Sequence, residues 1–129
     1  MVQKKWYTAV LVFRSAIEGD KTYEPLTELQ FRLLQAGSPE SAYSVALAIG
    51  EEEKHSYKNS QGEIVRWQFV GLFDLAELLE SDLHSGAEIY SQTVRSDPSK
   101  YIVPKERLTV FWSRTNNDRP ASDLLNEEG

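Results

Sequence analysis

Residues 6–17 read Trp6-Tyr7-Thr8-Ala9-Val10-Leu11-Val12-Phe13-Arg14-Ser15-Ala16-Ile17, and their alternation decides the fold class. Tyr7, Ala9, Leu11 and Phe13 fall on one side, with Trp6, Thr8, Val10, Val12 and Arg14 on the other. That is the period of two of a β-strand. A strand with one face in water would be polar at every second position, so two apolar faces imply a central strand or one whose second face meets another subunit. Glu18-Gly19-Asp20-Lys21 then supplies turn chemistry.

Working outward, residues 26–36 set Leu29, Phe31 and Leu33 against Glu28, Gln30 and Arg32, a half-exposed strand that forms a hairpin with the first. Tyr23 and Pro25 lie in the connecting loop. Ser38-Pro39-Glu40 opens a helix: the serine oxygen accepts a backbone N–H, proline at the first position forgoes a donor that has no partner there, and the acid sits at the positive helix end. Ala42, Val45, Ala46 and Ile49 make one narrow apolar stripe, rich enough in alanine for close approach to a sheet. Gly50 costs the helix about 1 kcal/mol relative to alanine, so it ends there or frays through Glu51-Glu52-Glu53-Lys54.

Asn59-Ser60-Gln61-Gly62 is a turn, followed by a third strand in which Val65, Trp67 and Phe69 alternate with Ile64, Arg66, Gln68 and Val70. Gly71 within that pattern suggests a bulge or a close backbone approach. From Leu72 to Leu83 two readings stand: Leu72, Leu75, Leu79 and Leu83 fit a helical stripe, and a strand running on to Phe73 fits the start equally well. A fourth, edge strand is expected from Ala87 to Val94. Residues 96–129 are punctuated by Pro98, Pro104 and Pro120. Within them Tyr101 to Phe111 suits an added strand or short helix, and the last fifteen or so residues are polar and expected to be mobile. The organisation expected is therefore one α+β domain over 1–95 and a partly docked extension over 96–129.

A chain of 129 residues is long enough for one self-sufficient core. Its 40% apolar and 26% charged composition favours neither disorder nor a coiled coil. The absence of cysteine excludes disulfides and thiolate chemistry and suits a reducing, cytoplasmic setting. Lys4 and Lys5 precede an apolar stretch, but from Trp6 to Phe13 it is too short, too regular in its alternation and interrupted by Thr8 for a secretory signal. No run approaches the roughly 18 apolar residues of a membrane span. The net charge is −6 and no segment is basic, which argues against nucleic acid as a partner, because lysine and arginine on phosphate supply most of that affinity.

Trp6-Tyr7-x-Ala9 in the first strand, the alanine-rich helix after Ser38-Pro39-Glu40, Arg66-Trp67-x-Phe69-x-Gly71 in the third strand and Gly86-x-Glu88-x-x-Ser91 follow one another in order. Over about residues 5–95 this arrangement resembles a family of small bacterial proteins known as domain of unknown function 4288. The resemblance supports the fold reading; it brings no catalytic or ligand residues to carry over.

Gly-rich phosphate loops, HExxH, EF-hand and GxSxG patterns are all absent. His55 and His84 lie among acids, and Glu51, Glu52 or Asp82 are conceivable co-ligands of a metal, but spacing establishes no convergence and no metal site or cofactor is expected. Glu88 and Ser91 beside Gly86 form the most site-like trio for a polar ligand; against it, a strand would point the two to opposite faces, leaving an edge glutamate that deters aggregation. Trp6, Tyr7, Trp67, Phe69 and Tyr90 are numerous for so small a sheet, and core packing is the plain role for Trp67 and Phe69. Trp6 on the face opposite the helix would point to a second subunit.

The expected architecture is β-β-α-β-β, a small antiparallel sheet with one helix on one face, homodimeric through the other face or a sheet edge. The leading functional expectation is a non-enzymatic module that captures a protein partner or small polar ligand, with Trp6, Arg66, Trp67, Glu88, Tyr90 and Ser91 as candidate contacts. The alternative is a small hydrolase or metal-dependent enzyme using His55 or His84 with neighbouring carboxylates, for which no nucleophile, base and orienter can be named together.

Overall fold

The computed structural model describes residues 3–111. The chain divides into two units, Met1–Ser91 and Gln92–Gly129. In the first, strands β1 (Lys5–Ile17), β2 (Thr27–Ala36), β3 (His55–Lys58) and β4 (Ile64–Glu77) form one antiparallel sheet in the order β2-β1-β4-β3, with helix α1 (Pro39–Glu53) between β2 and β3 in sequence. The α+β class and the single helix are as the sequence implies.

β1 is the central strand its two apolar faces call for, paired with β2 on one side and β4 on the other. Tyr7, Ala9, Leu11 and Phe13 are buried beneath α1 and join Leu34, Ala36, Ala42 and Ala46 in one core. Ser38 caps α1 by accepting from the Ser41 amide at 3.1 Å. The helix runs through Gly50 instead of ending there. A Cβ built on Gly50 would stand 2.5 Å from the Phe69 ring, so glycine is present because an aromatic packs on the helix backbone. Phe69 in turn meets Phe13 with ring centroids 5.6 Å apart.

Residues 64–77 are strand throughout, which settles the ambiguity after Leu72. The register of β4 against β1 passes from Phe13↔Phe69 to Val12↔Gly71, then from Leu11↔Leu72 to Val10↔Asp74, so Val70 and Phe73 are each left without an opposite residue. These two bulges space the inward residues Phe69, Leu72 and Leu75 by three. The spacing imitates a helical stripe, while the strand keeps its apolar face on the core.

The expected fourth strand at Ala87–Val94 does not form. The sheet gains β3 instead, and residues 87–91 cross the face opposite α1 without joining the ladder. Thr8 Oγ1 donates to the Ile89 carbonyl, the Tyr90 hydroxyl donates to Asp74 at 2.8 Å, and the Tyr90 ring meets Phe31 edge-on at 5.3 Å. Phe31 and Asp74 are the two cross-strand neighbours of Val10, so Tyr90 spans the strand above it. Thr8 and Val10 are fully buried as a result, and the chain itself closes this end of the second face.

In the second unit the described residues make three short 3-10 turns, Pro98–Tyr101, Lys105–Arg107 and Thr109–Phe111, none with a buried residue. The expectation about the last fifteen residues falls outside the described part.

Candidate binding edge and face

The side chains singled out from sequence separate into two groups at opposite ends of β4. Arg66 and Trp67 lie near its start, beside β3. Arg66 is exposed and ion-paired with Glu18 at 2.6 Å, and half-buried Trp67 packs against the core under α1. With Lys54, His55, Ser56 and Gln68 they line a wide depression. At the far end, Trp6 is half-buried on the helix-free face, its carbonyl accepting from the Leu78 amide at 2.9 Å. Glu88, Tyr90 and Ser91 border a cleft of about 190 Å³ with Leu78 and Ile89, and Trp6 borders a neighbouring one of about 180 Å³. Because residues 87–91 are not a strand, Glu88 and Ser91 do share one depression. Both clefts fall below the roughly 300 Å³ at which small-molecule sites begin.

The histidines are each held locally. His84 lies against Glu80 and against the Ser85 carbonyl at 2.9 Å; that carbonyl first, and Glu80 second, raise its pKa above the usual histidine value. His55 stacks on Tyr57 with centroids 6.0 Å apart. Tyr90 also titrates above the ordinary phenol value, chiefly because its hydroxyl donates to Asp74. Among the described residues, no three His, Cys, Asp or Glu side chains gather where they could hold a metal ion.

A different feature emerges along β2, at the edge of the sheet. Its helix-side residues Glu28, Gln30 and Arg32 are tied in a row: Gln30 donates to Glu28 at 2.6 Å, and Arg32 donates to Gln30 at 2.9 Å and pairs with Glu53 of α1 at 3.3 Å. The opposite side carries Leu29, Phe31 and Leu33, which remain 46%, 52% and 40% exposed. Backbone pairing fixes which groups are free. The Ser15 amide donates to the Leu26 carbonyl at 3.0 Å, so the even-numbered residues of β2 turn their N–H and C=O groups to β1. In an antiparallel ladder the alternate residues Thr27, Leu29, Phe31, Leu33 and Gln35 then face outward. One row of residues thus presents both unpaired ladder groups and large apolar side chains. The alternation of Leu29, Phe31 and Leu33 signals it in the sequence, but pattern alone cannot say that β2 lies at an edge.

The fold and this edge define a small α+β domain with an open strand. The chain belongs to the family described as Domain of unknown function (DUF4288), which it matches over residues 6–91. The match closes at the residue that ends the first unit, so it takes in α1, the crossing segment and all of the sheet but Lys5. No curated protein and no solved structure matches the chain. No helix among the described residues is long and apolar enough to cross a membrane.

Proposed function

We propose that this protein is a non-enzymatic binding module that captures a protein partner by adding one of the partner's strands to the β2 edge, in a reducing, cytoplasmic setting. The observation that carries the reading is the exposure of Leu29, Phe31 and Leu33 on residues whose backbone groups also face outward. In strand addition the ladder hydrogen bonds give affinity and alternate side chains give selectivity. The partner that fits is an extended segment, apolar at alternate positions on the side of Leu29, Phe31 and Leu33, and polar with at least one charge opposite Glu28 or Arg32. The clefts beside Glu88 and Ser91 are small for a ligand site, and among the described residues no three side chains gather to hold a metal ion for the hydrolase alternative.

A displayed library of eleven-residue peptides alternating apolar and polar positions tests this reading. Selected peptides are expected to slow amide exchange at Leu29, Phe31 and Leu33 and to lose binding at least tenfold to Phe31→Asp. Selection of no peptide by a chain that is monomeric, or of peptides indifferent to Phe31→Asp, would overturn it.

A further inference from the structure

Resting on the strand-addition reading, we infer that the partner is a second copy of this chain, its β2 paired antiparallel with the first about a two-fold axis passing at Gln30. Three observations converge on this occupant and this register.

First, the β2 edge carries few of the devices by which sheets keep other strands away, its two charges, Glu28 and Arg32, being tied into a row with Gln30. It is ten residues long, contains no proline, glycine or lysine, and pairs with β1 without a bulge. The other edge is β3, four exposed residues that carry Lys58 and pair only with Ile64–Trp67, and beyond it β4 itself, which is broken by the bulges at Val70 and Phe73. Only one edge invites pairing, so an isologous β2–β2 contact closes at two subunits instead of running on into a fibre.

Second, backbone geometry restricts the register. Outward-facing odd residues must oppose odd residues. Centring the pair on Gln30 sets Leu29 opposite Phe31 of the second copy and Thr27 opposite Leu33. An axis perpendicular to the sheet keeps like faces together, so the apolar rows of both copies merge on the helix-free side and the polar rows merge on the helix side.

Third, charge selects among the allowed registers. Centred on Gln30, Glu28 of each copy stands opposite Arg32 of the other, giving two cross-strand opposite-charge pairs. Centring on Arg32 sets arginine against arginine, and on Glu28 glutamate against glutamate. Centring on Phe31 sets Glu28 against Leu34, and on Leu29 sets it against Gln30. Within the strand, Thr27–Ala36, opposite charges meet in the Gln30-centred register and in none of these others.

Sedimentation equilibrium of the full chain across a concentration series tests the inference, using a charge swap. The wild-type chain is expected to be dimeric, Glu28→Arg to weaken the dimer at least tenfold, and Glu28→Arg with Arg32→Glu to restore it to within about threefold of wild type. Far-ultraviolet circular dichroism confirms that each variant is folded, and the double variant guards against reading a folding defect as lost pairing. A wild-type chain that stays monomeric at high micromolar concentration overturns the inference, as does a dimer that tolerates Glu28→Arg or is not rescued by the double swap. The two readings fail separately: a monomer whose β2 amides are still protected by selected peptides removes the second copy as partner and leaves strand addition standing, whereas a monomer that selects no peptide removes both.

Discussion

The face of the sheet beneath α1 and the face opposite it belong to the same four strands but are closed by different means. Beneath the helix, closure is apolar and close: alanines at 42 and 46 and glycine at 50 admit the helix backbone to the sheet, and Phe69 fills the space a side chain would need. On the other face five residues, Ala87 to Ser91, are held by polar anchors at Thr8 and Asp74 and cover only one end. The exposed row of Leu29, Phe31 and Leu33 remains. The helix, about 22 Å long, lies across three strands and buries the residues beneath it, whereas a crossing segment of five residues buries far less. The uncovered remainder, with the edge beside it, is the part of the domain available to a partner.

The comparison breaks most readily at Gly50. Alanine for glycine inside a helix ordinarily stabilises by about 1 kcal/mol. Here the added methyl would meet the Phe69 ring, and Gly50→Ala is expected to lower the unfolding free energy by about 1–3 kcal/mol, as overpacked cores do. Urea titration measures this, and combining it with Phe69→Leu should return part of the loss. A stabilised Gly50→Ala protein would mean the helix does not sit so close.

This position also shows what the sequence withholds. Read alone, Gly50 is a helix breaker, because propensity is local and the ring that requires the glycine lies in a strand almost twenty residues on. β1, β2 and the Ser38-Pro39-Glu40 start are legible because alternation and capping are local signals. The two bulges in β4 are not: once Val70 and Phe73 drop out of register, a strand acquires the spacing of a helix over Phe69, Leu72 and Leu75. β3 has no signal to read, being four exposed residues with no buried side to alternate. Residues 87–91 look like a strand because Ile89 and Tyr90 are apolar neighbours of polar residues, yet they serve as a cover held by side-chain bonds. Of the candidate contacts, Trp6, Glu88, Tyr90 and Ser91 do fall at one end of the helix-free face. Leu29, Phe31 and Leu33 were legible as an apolar row but not as an open one, since edge position depends on strand order.

On the second face the expected effects are smaller. Thr8→Val keeps the shape of a fully buried side chain and removes its donor to the Ile89 carbonyl. A loss of about 1 kcal/mol is expected, with faster amide exchange across residues 87–91 and none of that loosening in α1. Equal loosening of both would erase the distinction between the two closures.

The Tyr90 anchor adds a pH dependence. Its pKa is raised in the folded state by donation to Asp74, so the stabilisation it gives is complete below the unfolded value near 10 and is lost as pH rises through the higher folded value. NMR titration of the Tyr90 ring should show a midpoint above that of a free tyrosine, and Asp74→Asn should bring it down. An unshifted midpoint would mean that the anchor does not hold in solution.

The smallest effect is expected where the face is open. Leu29→Ser, measured at a dilution where partners are absent, should change unfolding free energy by no more than about 0.5 kcal/mol, because so exposed a leucine contributes little to the core. A large destabilisation would mean that Leu29 is covered within the single chain.

The central claim, that β2 is a strand awaiting a neighbour, is tested most directly by residue-resolved amide exchange along β2 over a dilution series of the full chain. Slow exchange at Gln30 and Arg32 at every concentration, with exchange at Leu29, Phe31 and Leu33 slow when concentrated and fast when dilute, is the predicted result. Fast exchange at those three residues at every concentration, unchanged by selected peptides, would contradict the account.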